Sequence, residues 1–252
     1  MTEAGLHSLA TWMEILFAAA ALLALVFVTA PYGRHRRSGW GPTIPNSLGW
    51  ILMESPAVLG FAAIYAAGRF RADIVPLVFG GMWMIHYVHR TFVFPFRVRT
   101  TGKRMPLVIA GMALVFNCLN AYVIARWISH LSEYETAWLR DPRFIAGVVV
   151  FAFGLIINLW ADSVLISLRR PGETGYVIPG GGLYDYVACP NYLGEIIEWI
   201  GYAIALWALP GVAFALFTIA NVGPRAQANL EWYRETFPDY PPQRKALVPF
   251  LV

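Results

Sequence analysis

The sequence predicts an all-α, polytopic integral membrane protein with seven transmembrane helices, its N-terminus outside and its C-terminus cytoplasmic. Three observations carry that expectation. Of 252 residues, 58% are hydrophobic and only 13% are charged, whereas a soluble domain carries about 25% charged residues; the mean hydropathy is +0.55. Apolar runs recur at the length needed to cross hydrocarbon, about 20 residues for about 30 Å. Basic residues crowd every second loop and are sparse in the others, as the positive-inside rule requires.

The apolar runs fall at roughly 10–30, 48–67, 74–94, 105–128, 143–168, 191–209 and 211–230. The residues before the first run lack the positive n-region of a cleavable signal peptide, so that run is expected to be retained. Pro210-Gly211 reads as a tight turn between the last two. The loop after the first span holds Arg34, Arg36 and Arg37, the loop after the third Arg97, Arg99, Lys103 and Arg104, and the loop after the fifth Arg169 and Arg170. The tail adds Arg225, Arg234, Arg244 and Lys245, against Arg69, Arg71, Arg140 and Arg143 in the opposite loops. The basic side is the cytoplasmic one. No Ser/Pro-rich or charge-run linker divides the chain, so residues 1–252 are read as one domain. The net charge of +4 sits in short loops rather than along one face, which argues for topology and anion contact and against a nucleic-acid partner. Cys118 and Cys189 fit no metal spacing and no disulfide framework.

Ionisable groups inside spans are costly and mark function by default. A rise of 1.5 Å per residue puts Glu54, in the second span, and Tyr87, in the third, roughly 10 Å below the cytoplasmic interface. Asn158 and Asp162, four residues apart on one face of the fifth span, lie toward the same end. Asn191, Glu195 and Glu198 share a face early in the sixth span, and Arg225 approaches from the seventh. Independent spans thus converge on one layer.

Each residue also has a plainer reading. Glu54 could be a buried carboxyl paired with Arg90, Tyr87 one aromatic packer among many, and Asn158 with Asp162 interhelical hydrogen-bond glue. Glu14, in the first span, has no evident partner at its level and reads as structural or lipid-edge. His86 and His89 form an H-x-x-H that invites a metal. Only five histidines are present, and a membrane di-iron enzyme needs many more, so the pair is expected to bond backbone or line a polar pocket beside Tyr87, with no metal. The loop from Arg169 to Gly182 is rich in Gly and Pro and flanked by cations; it suits a phosphate cradle or an ordinary connector. No G-x-G-x-x-G follows a strand and no P-loop is present.

Several strings taken together resemble the steroid 5α-reductase family: Met53-Glu54-Ser55-Pro56, His86-Tyr87-Val88-His89-Arg90-Thr91, Ile157-Asn158-Leu159-Trp160-Ala161-Asp162, Leu168-Arg169-Arg170-Pro171-Gly172-Glu173 with Tyr176, Asn191-Tyr192-Leu193-Gly194-Glu195 through Glu198-Trp199, and Arg244-Lys245-Ala246-Leu247-Val248-Pro249-Phe250. The resemblance runs from about residue 48 to the C-terminus. It implies a seven-span, NADPH-dependent reductase of the Δ4 double bond of 3-oxo-steroids of testosterone or progesterone type, drawn from membrane lipid. By resemblance, Glu54 and Tyr87 match the pair that binds the 3-keto oxygen. Asn158, Asp162, Arg169, Tyr176, Asn191, Glu195, Arg225 and Tyr233 match positions that hold the dinucleotide. Lys103 and Arg104, with Arg99, are further candidates for a 2′-phosphate. Met53 replaces a Gln usual before the catalytic Glu, and Asn229 stands where a His is common.

The chemistry is consistent with this. Hydride addition to an enone moves charge onto the carbonyl oxygen, where a phenol and a neutral carboxylic acid can donate hydrogen bonds; an apolar span favours the neutral form of Glu54. Two alternatives remain open. One is an S-adenosylmethionine-dependent methyltransferase of the isoprenylcysteine type, whose C-terminal half has a similar look. The other is a sister reductase of enoyl or polyprenol-type enones. A transporter or receptor-like seven-span protein would place polar groups on both sides. The expected location is a bacterial inner membrane, or the endoplasmic reticulum in a eukaryote, with the site facing the cytoplasm.

Overall fold

Backbone groups in hydrocarbon have no water to bond, so a chain this apolar closes its hydrogen bonds within helices. The computed structural model describes residues 1–98, 102–168 and 175–251, and they are mostly helical. The long elements are α1 (Glu3–Phe27), α2 (Asn46–Ser55) continued by α3 (Phe61–Ala66), α4 (Ile74–Val88) continued by α5 (Phe94–Arg97), α6 (Leu107–Arg126), α7 (Pro142–Ser167), α8 (Pro190–Leu206) and α9 (Leu209–Thr236). Among the described residues, four stretches are long and apolar enough to cross a membrane: Glu3–Phe27, Asn46–Ala66, Leu107–Leu131 and Pro142–Ser167.

Three details differ from the sequence reading. The first helix begins at Glu3, ahead of the expected apolar run. Pro210 and Gly211 lie in the first turn of α9, where a missing N–H is tolerated, and the chain reverses instead at Trp207, whose φ is 49°. A short antiparallel pair, β1 (Thr43–Pro45) with β2 (Arg104–Pro106), ties two loops at one end of the bundle. That end also carries the segments before α8 and after α9, and we refer to it as the basic end.

Two π-helical turns interrupt the helices that carry Glu54 and Tyr87. Pro56–Gly60 sits between α2 and α3, directly after Glu54 and Ser55, and His89–Val93 sits between α4 and α5, just past Tyr87 and Val88. Pro56 has no N–H to give the turn before it, and the Ser55 hydroxyl donates to the Leu52 carbonyl at 3.1 Å. Such turns recur at functional positions. They are joined across the helix pair, since Trp83 Nε1 donates to the Ala57 carbonyl at 2.7 Å and Thr91 Oγ1 to the Glu54 carbonyl at 3.4 Å.

The core is an aromatic cluster in which Phe61, Phe79, Trp83, Trp199, Tyr202 and Phe214 are buried. Behind it α7 and α8 meet backbone to backbone. A Cβ at Gly154 would lie 2.2 Å from the Glu198 nitrogen, and one at Gly201 2.2 Å from the Phe151 nitrogen. Close approach of this kind is what small residues give to helices in lipid. At the basic end, Ala188, Cys189, Tyr233, Tyr240 and Ala246 form a second cluster, where the Ala188 nitrogen donates to the Lys245 carbonyl at 2.8 Å and draws the C-terminal tail under α8. Glu14 is 0% exposed and neither carboxyl oxygen has a hydrogen-bond partner among the described residues. It is not at the lipid edge.

Gly154→Ala should therefore force α7 from α8 and lower the Tm in detergent by several degrees, overpacking costing about 1–3 kcal/mol. Gly111→Ala, where a Cβ meets nothing within 4 Å, should leave the Tm unchanged or raise it through helix propensity. Equal losses at both positions would contradict the packing described.

Candidate active site

Arg90 organises the inner layer. Leaving the π turn after α4, its Nη1 donates to Asp162 Oδ2 at 3.2 Å and its Nη2 lies 3.6 Å from Glu195 Oε2. Its guanidinium stacks over Trp50 at 4.8 Å and Phe94 at 4.7 Å. Asp162 also accepts from Asn191 Nδ2 at 3.0 Å, and Asn158 Nδ2 donates to the Asn191 carbonyl at 3.0 Å. The polar faces expected on α7 and α8 therefore meet, and both acids point at one arginine.

Glu54 is not paired with Arg90. Its Oε2 accepts from Asn117 Nδ2 at 3.1 Å, and the same amide donates to the Met53 carbonyl at 2.7 Å. Glu54 is only partly covered, although it sits well inside the bundle. Tyr87 is 5% exposed and within electrostatic reach of the Glu54 carboxyl. The bonds from Trp83 to Ala57 and from Thr91 to Glu54 straddle the pair. Among the described residues the Tyr87 hydroxyl makes no hydrogen bond, while its ring packs on Trp83 at 4.5 Å and Trp199 at 5.7 Å. Among the described residues the layer thus holds a carboxyl that forms no ion pair, although Arg90 lies within its electrostatic reach, near a phenol whose hydroxyl makes no hydrogen bond.

The H-x-x-H motif divides. His86 Nδ1 bonds Glu198 Oε1 at 2.9 Å with both side chains buried, and His89 lies outside that pair.

Toward the basic end a pocket of about 120 Å³ is lined by Tyr32, Arg34, His35, Cys189, Asn191, Tyr192, Arg225, Asn229 and Tyr233, among others. Arg225 stacks between Tyr32 at 4.8 Å and Tyr192 at 5.3 Å, and its Nη2 donates to the Tyr192 hydroxyl at 3.1 Å. Arg34 sits within 4.5 Å of the Tyr233 ring centre, 4.9 Å of Trp232 and 5.2 Å of Tyr176. Its Nη1 is buried and has no hydrogen-bond partner among the described residues. A guanidinium donor held in place with nothing to receive it is suited to an anion, and the aromatic walls to a flat ring. Lys103 donates to the Tyr176 hydroxyl at 2.9 Å and joins this group. Arg104 does not, since its Nε donates to Thr43 Oγ1 at 2.8 Å across the β-pair. Arg169, with Arg99 and Arg170, lies outside the described residues. Asn229 Oδ1 accepts from His35 Nε2 at 3.0 Å, and its Nδ2 donates to the Cys189 sulfur at 3.4 Å. Burial, with Arg34, Arg225 and Arg37 close by, pushes His35 below the ordinary histidine value, and burial pushes the Cys189 thiol up.

Sequence reasoning used Arg34 only to set topology, and it passed over Asn117 and the partnership of His86 with Glu198. Asn117 carried a signal, being an amide in the middle of an apolar run. Arg34 carried none, because a loop cation has no depth until the chain folds.

The family model described as 3-oxo-5-alpha-steroid 4-dehydrogenase matches residues 103–252. The chain is 44% identical to a steroid 5-alpha-reductase of Gossypium hirsutum over 234 residues, 91% of each chain. It is 40% identical to 3-oxo-5-alpha-steroid 4-dehydrogenase 1 of Bos taurus over 256 residues, covering 100% of this chain and 99% of the relative. The corresponding protein of Homo sapiens is 41% identical over 223 residues, 87% of this chain and 85% of the relative.

Removing the Arg34 guanidinium, with its unpartnered Nη1, tests the basic pocket. Arg34→Gln should weaken binding of a phosphorylated nucleotide by about tenfold or more, hydrogen bonds to charged groups contributing about 1.5–3 kcal/mol. Calorimetric titration of purified protein measures it, and unchanged affinity would remove Arg34 from the site.

Proposed function

We propose, from the fact that this chain belongs to the steroid 5α-reductase family, that it reduces the C4–C5 double bond of 3-oxo-Δ4-steroids with NADPH. The observation that carries the reading is the Glu54–Tyr87 pair: an acid bonded to Asn117 and in no ion pair among the described residues, within electrostatic reach of a phenol whose hydroxyl makes no hydrogen bond there. Together they would hold the 3-keto oxygen. Bound NADPH would supply the hydride for the enone β-carbon, and a proton taken up at the α-carbon would discharge the enolate and complete the reduction.

As that carbon is reduced, negative charge grows on the ketone oxygen. Tyr87 Oη and the carboxyl of Glu54, in its neutral form, donate to that oxygen, where fixed donors typically contribute about 3–4 kcal/mol each. Neither group has to give up another strong partner first. The buried aromatic wall of Trp83, Trp199 and Phe214 excludes water from the reacting carbons and suits a steroid arriving from lipid. Arg34, Arg225, Lys103, Tyr176, Asn191 and Tyr233 would hold the nucleotide from the basic end, with Asn158, Asp162 and Glu195 fixing the nicotinamide side and Arg169 adding a further cation.

The same reading orders the membrane. All residues form one domain of seven spans, in which 74–97, α8 and α9 cross together with the four long apolar stretches. The basic end is cytoplasmic and the N-terminus is outside, in an inner membrane or endoplasmic reticulum. The methyltransferase reading gives Glu54 and Tyr87 no task.

Membranes supplied with NADPH and a panel of 3-oxo-Δ4-steroids should yield 5α-3-oxo products identifiable by mass and stereochemistry. Glu54→Gln and Tyr87→Phe should each lower kcat by about 100-fold or more with expression retained. Near-normal rates in both variants, or no product from any steroid, would overturn the assignment.

A further inference from the structure

Resting on that reading, we infer that the buried His86–Glu198 pair is a positioning element for the reaction: it sets the orientation of Tyr87. The starting point is that the Tyr87 hydroxyl makes no hydrogen bond among the described residues, so ring packing alone fixes where it points. Its ring contacts are Trp83 at 4.5 Å, His86 at 5.0 Å, Trp199 at 5.7 Å and Phe214 at 6.5 Å. Of these neighbours Trp83 is pinned by its bond to the Ala57 carbonyl, and His86 by a bond to a buried acid on another helix. Its Nδ1 lies 2.9 Å from Glu198 Oε1, and its ring meets Tyr87 edge-on at 73° and Trp199 at 66°.

Glu198 is closely confined. It is 0% exposed, and its backbone lies where α7 and α8 abut, within 2.2 Å of the place a Cβ on Gly154 would take. A chain of contacts therefore runs from the closest helix crossing, through Glu198 and His86, to the phenol. An apolar pair of similar volume would pack the same space without desolvating an acid and an imidazole. What it would not supply is direction: one hydrogen bond fixes the plane of the imidazole, and the imidazole edge fixes the tilt of the tyrosine ring. A donor displaced by a fraction of an ångström from the position of the developing oxyanion loses much of its effect.

The plainer explanation is that the pair only clips α4 to α8. The two differ in what they couple to. A clip affects stability whatever occupies position 87, whereas a positioning pair acts on rate through Tyr87 and has nothing to act on once the hydroxyl is gone. The test is a double-mutant cycle of Glu198→Gln with Tyr87→Phe in the purified full chain, with nucleotide affinity measured by calorimetry as a check of folding and with the primary isotope effect from deuterated NADPH. Glu198→Gln should lower kcat about tenfold, a usual size for directly coupled residues, raise the isotope effect as hydride transfer becomes slower, and leave nucleotide affinity unchanged. In the Tyr87→Phe background the same change should alter kcat by less than about twofold. Equal losses in both backgrounds, or no loss in either, overturn the inference while an active wild type leaves the functional reading standing. If Glu198→Gln does not fold, His86→Gln asks the same question, and failure of both to fold assigns the pair to structure and overturns the inference. A wild type that reduces no steroid ends the functional reading, and this inference with it.

Discussion

Everything in the inner layer depends on where the Arg90 charge goes. An arginine inside an apolar bundle must be neutralised by the protein itself, and here Asp162 and Glu195 face it from α7 and α8 while Trp50 and Phe94 cover its planes. That arrangement fixes two helices relative to α4. It also leaves Glu54, on a neighbouring helix, with an amide for a partner instead of a cation. A carboxyl in its neutral form is a donor, which is what the proposed reading asks of Glu54. The engagement of Arg90 by Asp162 and Glu195 thus leaves Glu54 outside the ion pairs of the layer.

The rest of the structure supports that division. The π turns after Glu54 and Tyr87 place both residues where two helices change their winding, and the bonds from Trp83 to Ala57 and from Thr91 to Glu54 tie each turn to the helix opposite. The glycine contacts between α7 and α8 bring Asn158, Asp162, Asn191 and Glu195 into one polar wall. Beyond it, cations and aromatic rings gather at the basic end, with Arg34 and Arg225 each sandwiched or boxed by rings. The aromatic core and the basic pocket offer opposite surroundings, as the proposed enone and nucleotide would require.

Much of this was legible in the sequence, for reasons that can be named. Asp162 and Asn191 stood out because a polar residue in an apolar run is expensive, and their helical spacing put them on faces that could meet. Glu54 stood out for the same reason, but its partner did not: Arg90 was the obvious candidate, and only the fold shows that arginine turned to α7 and α8. Depth along a helix can be counted from residues, whereas azimuth around the bundle cannot, so Glu14 read as structural or lipid-edge, and the fold places it fully buried. Loop cations such as Arg34 and Arg104 looked alike as one-letter codes. Folding sent the first into an aromatic box and the second across a β-pair to Thr43.

The central claim is that Glu54 works as a neutral acid beside Tyr87. Infrared difference spectroscopy at neutral pH reads this directly through the carbonyl stretch of a protonated carboxyl. Such a band is expected in the wild-type protein; it should disappear in Glu54→Gln and move to lower frequency when a 3-oxo-Δ4-steroid binds. A Glu54 that shows only the carboxylate bands, or a protonated band indifferent to the steroid, would contradict the claim.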